Sequence, residues 1–143
     1  LTQCLEESYM LYYNSRKDIK FNFSQPSDSI YFQFDKLQLS RCFNNLIKNA
    51  IEAVEKIPNP SVGVKIYSND NNILIEFKDN GVGIDNKMIS KIFEPYFTTK
   101  AKGTGLGLSI VKRIIEDHGG KIKIEKNKNM AGTTSLITLE NNA

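Results

Sequence analysis

The sequence predicts an α+β domain of two layers, in which a mixed sheet of about five strands is covered on one face by about three helices. Short runs of alternating apolar and polar residues, typical of half-buried strands, come in neighbouring pairs, and longer stretches repeat their apolar residues at helical spacing. The two kinds of segment follow each other in mixed order, so the connections include crossovers as well as hairpins. No repeat or long linker divides the 143 residues, which predicts a single domain over residues 1–143.

Three segments have the spacing of amphipathic helices. The first lies in residues 1–17, where we expect a helix that continues from a preceding segment. The second follows Asp35, an N-cap residue with Gln38 at the capping-box position, and must end before Pro58. The third follows a cluster of glycines and ends at the glycine pair that begins with Gly119, a C-terminal helix signal.

Alternating runs predict the strands, with turn sequences between them. These runs lie at residues 19–23, 30–34, 61–67, 72–77, 121–125 and 133–140. Residues 84–102 have little periodicity apart from a short helical pattern at 87–93. A stretch of this length inside a compact domain predicts a flexible lid.

Composition and charge argue against several classes of protein. The net charge of +3 comes from 19 basic and 16 acidic residues spread along the chain, whereas a nucleic-acid binder gathers its basic residues into a patch. No apolar run approaches the roughly 20 residues that span a bilayer, and the first residues do not have the pattern of a signal peptide. Cys4 and Cys42 fit no disulfide or metal framework, so we expect two free thiols in a reducing cytoplasm.

The second predicted helix has a polar face opposite its apolar stripe. Asparagine is a mediocre helix former, so an asparagine pair at positions i and i+4 needs a reason. The face is either simply solvated, or its amide oxygens offer hard ligands to Mg²⁺, which takes phosphate oxygens and water as its other ligands. Its members are Arg41, Asn45, Lys48, Asn49 and Glu52.

The motif DNGVGI, from Asp79 to Ile84, follows the fourth alternating run. Asp-Asn-Gly alone is an ordinary turn signal. An ionised Asp79 at a strand end can also accept a hydrogen bond from an exocyclic amine such as that of adenine. Gly81 and Gly83 would let the backbone approach such a ligand closely.

A second glycine motif, KGTGLGLS, leads directly into the third predicted helix. The first amides of a helix lack intrahelical partners, so Gly103, Gly105 and Gly107 beside them make a cradle for phosphate. Lys100 and Lys102 would add point charges, or are a solvated pair. The spacing is neither that of the dinucleotide-binding fingerprint nor that of a Walker A motif.

The order of the motifs NNLIKNAIEA, DNGVGI, IFEPYFTTK, GTGLGLSIV and GTT is more specific than any one of them. They resemble the N box, first glycine box, F box, second glycine box and final glycine box of the sensor histidine kinase catalytic domain. This family belongs to the GHKL superfamily and has the Bergerat fold, a two-layer α/β sandwich with an ATP lid. The resemblance extends from about Ile19 to Leu139 and is greatest to the nitrogen-regulation subgroup.

This resemblance implies roles for individual residues. Asn49 is implied as the Mg²⁺ ligand and, with its neighbour Asn45 near the phosphates, as a catalytic residue. Asp79 would accept the adenine amine. The other residues implied to hold ATP are Gly81, Gly83, Ile84, Phe93, Phe97, Lys100, Lys102, Gly103, Thr104, Gly105, Leu106, Gly107, Leu108, Thr133 and Thr134.

The same superfamily contains hydrolases as well as kinases, so the reaction depends on a single position. The hydrolases have a glutamate one helical turn before the Mg²⁺ asparagine, where it acts as general base on water. Here that residue is Asn45, which favours transfer of the γ-phosphoryl group. An ATPase or ATP-gated clamp, and a degenerate nucleotide-binding module without catalysis, remain the alternatives. Glu52 departs from the basic residue that many relatives have.

The implied partner is a dimerisation domain of the same full-length protein, which bears the acceptor histidine. His118 is the single histidine of this chain, and its place at a helix end favours a capping or packing role. A response regulator receiver domain would act downstream. We expect the isolated domain to be monomeric and cytoplasmic, in a full-length protein that is a homodimer and that is either anchored in a membrane or not.

Overall fold

The computed structural model describes residues 1–95 and 107–140. Within these two ranges none of the helices is long and apolar enough to cross a bilayer. The helices are α1 (Thr2–Ser15), α2 (Lys36–Ala53), α3 (Asn86–Ile89) and α4 (Gly107–Asp117). The strands are β1 (Lys20–Ser24), β2 (Ser61–Ser68), β3 (Asn72–Asp79), β4 (Gly120–Lys126) and β5 (Thr133–Glu140).

The strands form one mixed sheet in the order β1-β2-β3-β5-β4. β1 runs parallel to β2, to which it is connected through α2, and the other neighbouring strands are antiparallel. A row of isoleucines crosses the sheet, with Ile66 opposite Ile75, then Ile137 and Ile122. Because these side chains share one face, they form the sheet's side of the core.

The three long helices cover that face, which confirms the predicted two-layer α+β architecture. Phe43 of α2 and Phe77 of β3 are both buried, and their ring centroids are 6.1 Å apart. The ring of Tyr9 in α1 packs against the rings of Phe21 and Phe23 in β1, with centroid distances of 5.9 and 5.0 Å. Such aromatic contacts add stability beyond the area that they bury.

Several local predictions are confirmed at the ends of elements. The Asp35 carboxylate caps α2 by accepting a hydrogen bond from the backbone amide of Gln38 at 3.1 Å. The chain leaves α4 through Gly119, which has a φ of +75°, a conformation in which glycine has no Cβ to clash. The short helical pattern at 87–93 is observed as the single turn α3, followed by further turns up to residue 95.

The strand predicted at residues 30–34 is wrong. Ile30 is buried, and Phe32 and Phe34 pack partly buried against the core, so the alternation of apolar residues is real. The segment nevertheless makes no backbone ladder with any described strand. It is an extended connection that leads into α2. Its apolar residues alternate with polar ones because every second side chain faces the core.

Helix α4 lies antiparallel along α2. The buried Cys42 thiol of α2 is 3.9 Å from the Val111 carbonyl of α4, and burial raises the pKa of this thiol to about 12. At the end of α4 the Asp35 amide donates to Nε2 of His118 at 3.0 Å. Nδ1 therefore carries the imidazole proton and donates to the Ile114 carbonyl at 2.8 Å. His118 thus has the packing role expected of it.

Candidate nucleotide site

Asp79 is the last residue of β3, and its side chain is buried, with 6% of the residue exposed. Its Oδ1 accepts hydrogen bonds from the backbone amides of Gly81 at 2.9 Å and Thr133 at 3.3 Å. Burial raises the pKa of Asp79 above its ordinary value of 3.8, and the two amides act in the opposite direction. The carboxylate is therefore oriented by two fixed donors in a place with little water.

The second oxygen of this carboxylate has remaining acceptor capacity. Among residues 1–95 and 107–140 no donor of the chain bonds to Oδ2 of Asp79. An ionised carboxylate only accepts, and each of its oxygens has room for more than one donor. This oxygen is therefore suited to a donor that arrives on a ligand.

The hairpin between β4 and β5 closes onto the end of β3. Gly132 has a φ of +111°, and a Cβ at this position would overlap the carbonyl oxygen of Asp79. Thr133 and Thr134 follow, and both are buried. The final glycine motif therefore lies directly beside the first.

Asn127 was not predicted as a site residue, although its side chain contacts this region at three points. Its Nδ2 donates to the backbone carbonyls of Asp79 at 2.8 Å and Ala131 at 3.1 Å. Its Oδ1 accepts the hydroxyl proton of Thr134. In the sequence Asn127 belongs to the turn NKNMAG, where asparagine is ordinary, and no sequence signal distinguishes it from Asn129.

Asn45 and Asn49 meet on α2. Nδ2 of Asn49 donates to Oδ1 of Asn45 at 3.1 Å, so the orientation of one amide fixes that of the other. The first residue of α4, Gly107, lies against Asn45 of this pair, because a Cβ on it would be 2.7 Å from Nδ2 of Asn45. The N box and the end of the second glycine box are therefore in direct contact.

The polar face of α2 is divided between two environments. Arg41, Asn45 and Lys48 line a groove of about 540 Å³ between α2 and α1. Asn49 and Glu52 are half-buried and do not line this groove. The five residues thus lie on one side of the helix without forming one cluster.

The remaining described site residues lie at the margins. Gly83 and Ile84 line a cleft of about 440 Å³ together with residues of the β4–β5 turn, and the Asp79 carboxylate does not line it. The ring of Phe93 is half-buried, with Nζ of Lys112 at 5.7 Å from its centroid. Leu108 packs partly buried against the core.

The other predicted residues, and residues 96–102 of the predicted lid, lie outside the described ranges. These residues are Phe97, Lys100, Lys102, Gly103, Thr104, Gly105 and Leu106.

The fold is that of solved histidine kinase catalytic domains. The catalytic domain of histidine kinase ThkA superimposes with a TM-score of 0.87 at 32% identity, over 98% of this chain and 91% of that one. A second structure of ThkA, in complex with the response regulator protein TrrA, gives a TM-score of 0.83 at 29% identity over 98% of this chain and 40% of that one.

Residues 34–143 match the family described as histidine kinase-, DNA gyrase B-, and HSP90-like ATPase. The chain belongs to this family, and ATP is therefore the nucleotide of its site. It is 42% identical to sporulation kinase A of Bacillus subtilis over 102 residues, which are 71% of this chain and 16% of that protein. It is 38% identical to the sensor histidine kinase ZraS of Salmonella typhimurium over 123 residues, 86% of this chain and 26% of that protein.

A nitrogen regulation protein, NtrY of Azorhizobium caulinodans, is 36% identical over 113 residues. The match covers 76% of this chain and 15% of that protein. The chain therefore spans between a seventh and about a quarter of the length of these relatives.

Proposed function

We propose that this chain binds Mg-ATP and transfers the γ-phosphoryl group to a histidine on a separate dimerisation domain of the same full-length protein. Residues 1–143 would be one catalytic and ATP-binding domain of a two-component signalling kinase in the cytoplasm. A response regulator receiver domain would accept the phosphoryl group next. The relatives named as sensor and sporulation kinases support this proposal, as does the complex of ThkA with a response regulator.

Adenine recognition is assigned to Asp79. The exocyclic amine of adenine would donate to Oδ2, while the amides of Gly81 and Thr133 keep the carboxylate in place. Hydrogen bonds to a charged group contribute about 1.5–3 kcal/mol, roughly twice those between neutral groups. A buried carboxylate at this position can therefore recognise an amine through a single strong hydrogen bond.

Phosphate binding is assigned to the start of α4, which begins at Gly107, because the first amides of a helix have no carbonyl one turn earlier in the helix and favour a bound anion. Asn49 fits a Mg²⁺ ion, because amide oxygens are hard ligands and Asn45 fixes the orientation of its amide. Within the described ranges no three His, Cys, Asp or Glu side chains gather to hold a metal. Phosphate oxygens and water would then complete the coordination, and the ion would neutralise developing negative charge.

The observation that favours a kinase over a hydrolase is the amide of Asn45. Its Oδ1 is engaged with Asn49, and an amide has no basic site that could deprotonate water. In the proposed reaction an imidazole nitrogen of the acceptor attacks the γ-phosphorus, the bond to the β,γ-bridging oxygen breaks, and ADP leaves. Positioning and charge neutralisation are sufficient for this step.

Alanine substitutions on α2 separate the metal ligand from its positioning neighbour. We expect Asn49→Ala to abolish the Mg²⁺-dependent gain in affinity for a nonhydrolysable ATP analogue. Asn45→Ala should reduce that gain about 10-fold, as is usual when a partner that orients a ligand is lost. Calorimetry with and without Mg²⁺ measures both effects. Asn44→Ala, one residue along the helix, is the matched control, and a full Mg²⁺ gain in Asn49→Ala would contradict the assignment.

Radiolabelling with γ-labelled ATP tests the proposed reaction. In the full-length protein we expect acid-labile label on a histidine outside residues 1–143, and none on this chain alone, because both nitrogens of His118 are hydrogen-bonded. Acid-labile label on the isolated chain would contradict the proposal. So would steady phosphate release far above background that Asn45→Ala abolishes, since this would indicate an ATPase.

A further inference from the structure

We propose that Asn127 is a positioning residue for base recognition: it holds the β4–β5 hairpin against the end of β3 so that Thr133 keeps the Asp79 carboxylate aimed at the nucleotide. This inference rests on the proposed function, because it assigns selectivity for adenine to the same site. Asn127 itself would not touch the nucleotide. It acts through Asp79 and Thr133.

The geometry links Asn127 to both sides of the contact. On the β3 side, Nδ2 donates to the backbone carbonyl of Asp79 at 2.8 Å. On the hairpin side, the same nitrogen donates to Ala131 at 3.1 Å, and Oδ1 accepts from the hydroxyl of Thr134. The backbone amide of Asn127 also donates to Gly132 at 3.1 Å. One side chain therefore joins the two segments.

The residue that Asn127 positions is Thr133, whose two neighbours in the chain both contact Asn127. Thr133 stands between Gly132 and Thr134, each of which is bonded to Asn127. The Thr133 amide makes the longer of the two bonds to the Asp79 carboxylate, 3.3 Å against 2.9 Å for Gly81. The Gly81 bond spans two residues and is local, whereas the Thr133 bond depends on where the hairpin sits.

Asparagine is suited to this role by its chemistry. The site uses two donors on one nitrogen and an acceptor on the neighbouring oxygen, which a side-chain amide supplies and a carboxylate or single hydroxyl does not. Two further buried groups, the Asp79 carbonyl and the Thr134 hydroxyl, depend on it. A network of this kind, in which each member is satisfied, fixes one arrangement of its segments.

The first test needs no nucleotide. Amide hydrogen exchange of the native chain is compared with Asn127→Ala, Asn127→Asp and the control Asn129→Ala, whose position is exposed in the same turn. Asn127→Asp keeps the acceptor for Thr134 and removes both donors. We expect exchange of the Thr133 amide to accelerate about 10-fold in both Asn127 variants, in line with the loss of one hydrogen bond, with a smaller change at Gly81. Unchanged exchange at Thr133 would overturn the inference.

The second test measures selectivity. Dissociation constants for ATP and inosine triphosphate, which has a carbonyl in place of the exocyclic amine, are determined for the same four chains. We expect the preference for ATP to fall about 3- to 10-fold in the Asn127 variants and to be unchanged in Asn129→Ala. Equal weakening of both nucleotides would assign Asn127 a structural role only and overturn the inference. A native chain with no preference would instead contradict base reading by Asp79, while the exchange test still decides what Asn127 holds.

Discussion

Replacing Asp79 by asparagine is expected to weaken ATP binding about 100-fold, because it removes a charged acceptor and places an amide donor opposite the donor on adenine. The fold should tolerate the change, since the amide oxygen can still accept from Gly81 and Thr133. Calorimetric titration with a nonhydrolysable analogue measures the loss. Asp70→Asn, in the exposed turn at the other end of β3, is the matched control.

The same substitution is expected to leave stability unchanged or raise it. Burial raises the pKa of Asp79 above 3.8. The Asp79 carboxylate therefore binds a proton more tightly in the folded chain than in the unfolded chain. The corresponding contribution to the free energy of unfolding is complete below pH 3.8 and is lost as the pH rises through the higher value in the folded chain. Asparagine stays neutral and avoids this loss. A lower melting temperature together with full ATP affinity would contradict both parts of the prediction.

Replacing Gly132 by alanine should be the most damaging single-methyl change in the described ranges of the chain. The new Cβ would overlap the Asp79 carbonyl, and the φ of +111° is strained for any L side chain. We expect the free energy of unfolding to fall by about 4 kcal/mol, from backbone strain and overpacking together. Because a domain of this size is stable by about 5–15 kcal/mol, much of the margin would be lost.

Gly119→Ala separates the two causes. Gly119 also has a positive φ, +75°, but a Cβ there would meet no atom within 4 Å. Its replacement should therefore cost only the left-handed conformation, about 1–2 kcal/mol. Chemical denaturation of the two variants measures the difference, and equal losses would show that contact with Asp79 has no part in the effect at Gly132.

Local sequence signals predicted most of the elements because their causes are local. The Asp35 cap, the Gly119 terminus and the alternation in β5 each depend on residues within a few positions of one another. The run at 30–34 has the same alternation and forms no strand. A ladder needs a partner with a free edge at the right distance, and that is a property of the assembled sheet.

The candidate site likewise contains residues that the sequence predicts and one residue that it does not. Asp79, Asn49 and the glycines stand in ordered motifs, and the family resemblance points to them. Asn127 acts through contacts with residues 48 and 4 positions away, and its residue type is common in any turn. Pairing of a turn side chain with the end of a distant strand follows from the closing of the hairpin, and it leaves no periodic pattern in the sequence.

Helix α4 connects the candidate nucleotide site to the start of α2. Gly107 meets Asn45 at one end of α4, and the His118 imidazole accepts the Asp35 amide at the other. A ligand that shifts the start of α4 would act on a helix whose other end is hydrogen-bonded to Asp35, the N-cap residue of α2. By thermodynamic reciprocity, a partner whose affinity for that cap is changed by bound ATP must change the affinity for ATP by the same factor.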